Sequence, residues 1–98
     1  MSNIQSIELY GTTPNCYLLI QYIDGCTSIE PIADTDNTRK LWGNLIQCDE
    51  AGYTDSVDIE LNGKSMTLDY YDWTMLNLAL LEFFLFTDVN LRQKRVEH

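Results

Sequence analysis

Fifteen carboxylates, three cysteines and a single histidine are the side chains of this 98-residue chain best suited to chemistry. The histidine is His98, the last residue. Val96-Glu97-His98 reads as the beginning of a vector-encoded polyhistidine tag, so one domain is expected over residues 1–95, with 96–98 as a tag remnant. A domain without histidine has no means of Ser-His-Asp or Cys-His catalysis, His-ligated zinc or histidine pH switching. Cys16, Cys26 and Cys48 are odd in number and include no Cys-x-x-Cys pair. They read as small apolar residues of a reducing compartment rather than a disulfide framework. A catalytic thiolate needs a cationic neighbour, and none lies close to them in sequence.

The carboxylates offer little more as catalysts. Asp34-x-Asp36-Asn37 opens like a calcium loop, but Arg39 and Leu45 stand where that loop needs Gly and Glu. Asp58/Glu60 and Asp69/Asp72 are pairs without a nucleophile or an orienting base. Neither glycine-rich phosphate-binding motif occurs. The chain is therefore expected to be no enzyme, with no catalytic residues, metal or cofactor.

Charge is the stronger signal. The formal net charge is −9. Residues 49–72 carry seven acids (Asp49, Glu50, Asp55, Asp58, Glu60, Asp69, Asp72) against Lys64 alone. Arg92, Lys94 and Arg95 form a basic tail. Such a balance disfavours direct nucleic-acid binding, which needs clustered Lys and Arg. The residues before Ile7 lack a secretory-signal pattern, and the apolar run Trp73–Phe86 is too short to span a bilayer. A soluble, cytoplasmic protein is expected.

The elements that must position these groups follow from patterning. Ile4–Tyr10 reads as a strand with Ile7 and Leu9 on one face, followed by a loop at Gly11–Asn15. Cys16–Ile23 is rich in Tyr, Leu and Ile, and its weak alternation suits cover on both faces. Asp24-Gly25 predicts a two-residue hairpin turn into Cys26–Ile32, pairing Ile23 with Cys26 and Ile20 with Ile29. Pro31 makes that arm an edge. Asp34-Thr35-Asp36 supplies caps for a helix whose apolar face is Thr38, Leu41, Trp42, Leu45 and Cys48, ending near Asp49–Gly52.

Val57–Leu61 alternates strictly, and Asn62-Gly63 is a strong hairpin turn. The register pairs Ile59 with Met66 and Val57 with Leu68. It gathers Asp58, Glu60, Ser65, Thr67 and Asp69 on the opposite face, with Lys64 at the rim. Asp72 is the expected cap of a final helix over Trp73–Asp88. Leu76, Ala79, Leu80, Phe83 and Phe86 make one apolar side of that helix, and Leu78, Leu81 and Leu85 make a second. The order is β-β-β-α-β-β-α: an α+β fold with an antiparallel sheet of about five strands and two helices packed on one face.

Two surfaces are candidates for function. Asp58, Glu60, Asp69, Tyr71 and Asp72 would bind a partner through charge and an aromatic anchor. Leu78, Leu81 and Leu85 would form a homodimer interface. One small acidic domain without catalytic motifs is similar in composition to phage-encoded inhibitors of host defence and to toxin-neutralising immunity proteins. That similarity implies a viral or mobile-element inhibitor of a basic-surfaced partner such as a nuclease or nucleic-acid-binding complex, with nucleic-acid mimicry as one mode. The alternatives are a homo-oligomeric structural or accessory protein, and a small enzyme or ligand carrier with a pocket between sheet and helices.

Overall fold

A computed structural model of the chain describes residues 3–12 and 15–96, and side chains as far as Leu85. The elements are β1 (Ile4–Thr12), β2 (Asn15–Tyr22), β3 (Thr27–Ile32), α1 (Asp36–Glu50), β4 (Val57–Leu61), β5 (Lys64–Leu68) and α2 (Tyr70–Val96). The fold is α+β in the expected order. Its five antiparallel strands form a three-stranded sheet, β1-β2-β3, and a separate two-stranded sheet, β4-β5. The division has a local cause: β3 presents Pro31, which lacks an N–H, and the Pro31 carbonyl is taken by the Asn62 side chain at 3.0 Å.

In the larger sheet, Ile7 lies opposite Ile20 and Leu9 opposite Leu18, with Thr12 and Asn15 closing the first hairpin. Thr13 and Pro14 of the expected loop lie outside the described residues.

The second hairpin corrects the sequence register. Tyr22 pairs with Cys26 through an N–H···O bond of 2.9 Å, and the Gly25 N–H closes a turn onto the Tyr22 carbonyl at 3.0 Å. The loop is thus Ile23-Asp24-Gly25, three residues with Gly25 at φ +92°, not the two-residue Asp-Gly turn. Ile20 faces Ser28 and Leu18 faces Glu30. A one-residue slip sends every β3 side chain to the other face. Ile29 is consequently 60% exposed, and Glu30 is 3% exposed in the core layer.

The β4–β5 hairpin has the expected register, including Ile59↔Met66 and Val57↔Leu68. Asn62 (φ 52°) and Gly63 (φ 79°) supply the two left-handed positions that its tight turn requires. Helix α1 is capped by Thr35, whose Oγ accepts the Thr38 N–H at 3.2 Å.

Helix α2 begins three residues earlier than expected. Its cap is Asp69, not Asp72: Asp69 Oδ1 accepts the Asp72 N–H at 3.0 Å, and Asp72 Oδ2 accepts the Asp69 N–H at 3.4 Å. This reciprocal pair is a capping box built from two aspartates. The helix continues through Val96. The expectations for Phe86 and the tail Arg92, Lys94 and Arg95, and for a tag remnant at residues 96–98, fall on side chains outside those described.

One apolar cluster draws on both sheets and both helices, centred on Leu18, Ile20, Leu45, Leu68, Trp73, Leu76 and Leu80. α2 lies along β1, and α1 packs on α2. Trp42 of α1 stacks on Phe84 of α2 with ring centroids 4.6 Å apart. Arg39 lies 5.0 Å over the same Phe84 ring while its guanidinium donates two bonds to Asp34.

Candidate docking surface

The acidic face rests on the strict alternation of β4. Val57, Ile59 and Leu61 turn inward, and Asp58 and Glu60 turn out to solvent. Asp58 lies opposite Thr67, which donates its hydroxyl to Asp58 Oδ1 at 2.7 Å, and Glu60 lies opposite Ser65. Successive outward carboxylates on a strand stand about 7 Å apart.

Lys64 does not serve this face. Its ammonium meets Glu30 Oε2 at 2.9 Å, on the edge of the other sheet. Glu30 also accepts from Ser28 Oγ at 2.8 Å and from Asn62 Nδ2 at 3.2 Å. Burial would raise the Glu30 carboxyl, but the bonds from Lys64, Ser28 and Asn62, with the Lys64 charge, more than offset it. The group is held below the ordinary glutamate range and stays ionised. Among the described residues the ion pairs are Arg39–Asp34 and Lys64–Glu30, so neither Asp58 nor Glu60 is ion-paired.

The remaining partner-site candidates separate. Asp69 is occupied as the cap of α2. Asp72 is 3% exposed, so the structure removes it from any docking surface. Tyr71, in the first turn of α2, is 78% exposed and touches Tyr70 at a ring-centroid distance of 6.2 Å. The dimer candidates Leu78, Leu81 and Leu85 are 57%, 39% and 52% exposed, so the second leucine stripe is only partly covered by the described residues.

Two surfaces escaped the sequence reading. One is the outer face of the larger sheet, expected to be covered. It carries Tyr10 stacked on Tyr17 at 6.0 Å, with half-buried Leu19 and exposed Ile29 and Pro31. The other is a groove of about 930 Å³ between α1 and β4. Leu41 and Leu45 of α1 and Val57 and Ile59 of β4 give it an apolar floor, with Lys40 and Asn44 of α1 and Asp58 and Glu60 of β4 among its other lining residues. It is open to solvent rather than an enclosed cavity. Alternating β4 beside an amphipathic α1 was the available signal, but their separation is tertiary.

Among the described residues no group of three or more His, Cys, Asp or Glu side chains could hold a metal ion. No described helix is long and apolar enough to cross a membrane. The chain matches no family model, no curated protein and no solved structure.

Proposed function

We propose that this chain is a small, non-enzymatic acidic protein of the cytoplasm that binds and inhibits or neutralises a basic-surfaced partner protein. The partner class it suits best is a nuclease or another nucleic-acid-binding protein, as for phage anti-defence or immunity proteins, with Asp58 and Glu60 occupying positions otherwise taken by phosphates. One observation carries the proposal: Asp58 and Glu60 project from a firmly turned hairpin, neither is ion-paired among the described residues, and Lys64 beside the turn is committed to buried Glu30. Unpaired charge on a fixed strand favours a cationic partner, speeds encounter and selects against acidic ones. Tyr71, the most exposed of the described aromatics, is available as an anchor.

The test is a pull-down from nuclease-treated native lysate, washed at low and then high salt and read by mass spectrometry. A stoichiometric basic protein released by salt supports the proposal. Retention of no such protein removes it.

The second reading is a homo-oligomeric accessory protein joined through α2. It is favoured by the exposure of Leu78, Leu81 and Leu85 at helical spacing. The two are compatible, because a dimer would present two acidic faces.

A further inference from the structure

The inner and outer faces of β4 are accounted for, but its lateral edge is not. Among the described residues β4 pairs with β5 alone. Leu61 and Lys64 flank a two-residue turn and therefore exchange both of their backbone hydrogen bonds, and bonded pairs alternate from there. Val57, Ile59 and Leu61 thus spend their backbone groups on β5. The N–H and C=O of Asp58 and Glu60 point the other way, toward the side of the strand that the groove borders. Among the described residues nothing bonds to those four groups.

We infer that the free edge of β4 takes up an extended segment of a partner protein as an added strand, one alternating Lys or Arg with apolar residues, lodged in the groove beneath α1. The inference rests on the acidic-face reading of function and specifies its geometry. Main-chain bonds to Asp58 and Glu60 would hold the segment, and alternate side chains would select it. Inward side chains would reach the floor made by Leu41, Leu45 and Ile59. Outward side chains would lie beside Asp58 and Glu60 as cross-strand neighbours, where opposite charges attract and like charges repel. The same rule argues against a second copy as occupant. Two β4 edges placed together would set Asp58 and Glu60 against their own duplicates. The five residues of β4 span about 14 Å, enough to register five residues of an incoming strand.

The test uses the full chain and the synthetic peptide acetyl-Lys-Val-Lys-Val-Lys-Val-amide, with the Glu-Val counterpart as control, followed by residue-resolved amide hydrogen exchange. The Lys-Val peptide is expected to slow exchange at Asp58 and Glu60 by about 10-fold or more, in proportion to site occupancy, and the Glu-Val peptide to have no effect. Glu60→Gln keeps the backbone donor and should weaken binding about 3-fold, whereas Glu60→Pro removes the donor and should weaken it about 10-fold or more. The exchange measurement on the unaltered chain stands even if the proline variant folds poorly. Binding of the Lys-Val peptide without protection at these two amides overturns strand addition and leaves the acidic-face reading in place. So does absence of peptide binding when the lysate pull-down yields a salt-released basic protein. Protection at Asp58 and Glu60 with no such protein in the lysate supports the edge site and removes the inhibitor reading.

Discussion

Lys64 Nζ stands 2.9 Å from Glu30 Oε2, joining a side chain that is 64% exposed to one that is 4% exposed across two separate sheets. The contact fastens the tip of the β4–β5 hairpin to the edge of β3. It also leaves Asp58 and Glu60 without an ion-pair partner among the described residues. One ion pair therefore has both a structural and an electrostatic effect.

Lys64→Met is expected to lower stability by about 1 kcal/mol, a modest figure because the ammonium is largely solvated. Ser28 and Asn62 would still serve the carboxylate. Urea denaturation measures the effect, and an unchanged midpoint would show that the contact is dispensable.

The depressed Glu30 pKa fixes the sign of a pH effect. Its contribution to stability is complete above the ordinary glutamate value and is lost as pH falls through the lower folded-state value. Melting temperatures followed downward from pH 5 should therefore fall more steeply in the wild type than in Glu30→Gln. Parallel curves would contradict this assignment.

Asp69→Ala and Asp72→Ala should each destabilise the protein by about 1 kcal/mol, because each removes one half of the box that starts α2. The double variant should cost less than the sum of the two, since the halves act on one helix end. Strict additivity in a denaturation cycle would break the link. Neither change should affect binding to a basic partner beyond its effect on folding.

Reversing charge with Asp58→Lys and Glu60→Lys should slow association with that partner and flatten its salt dependence, with stability shifted by no more than about 1 kcal/mol. Stopped-flow mixing at two ionic strengths is the measurement. Unaltered association rates would take the acidic face out of the interaction.

For the α2 stripe, sedimentation equilibrium should give a dimer for the wild type and a monomer for Leu81→Asp, because an aspartate at a packed apolar contact costs several kcal/mol. A monomeric wild type at micromolar concentration would dispose of the oligomer reading.

The element order was legible in the sequence because each hairpin carries its own turn chemistry and each helix its own caps. The β4–β5 register was legible to the residue, since strict alternation and Asn62-Gly63 agree. The β2–β3 register was not. Asp24-Gly25 fits both a two-residue turn and the last two residues of a three-residue loop, and Ile23, apolar, looked like strand. That ambiguity alone hid the burial of Glu30, and with it the partner of Lys64. Asp69 and Asp72 are both good caps three residues apart, and only the reciprocal bonds show that they share the task. The second apolar side of α2 at Leu78, Leu81 and Leu85 was legible from spacing, but spacing suits burial within the monomer as well as an interface, and their exposure is seen only in the packing. The groove was not legible, because it depends on how α1 leans on Phe84.

The small sheet is clamped at both ends. At its turn, Asn62 and Lys64 grip Glu30; at its entrance, the Trp73 indole N–H holds the Asp55 carbonyl at 2.9 Å and the Tyr53 hydroxyl holds that of Ser56 at 3.0 Å. A two-stranded ribbon left to itself is barely stable in water. Anchored in this way it acts as a beam fixed at each support, and the width of the neighbouring channel is set by the core rather than by whatever enters it. The host would then lose little freedom on binding, and most of the entropy loss from ordering would fall on the guest.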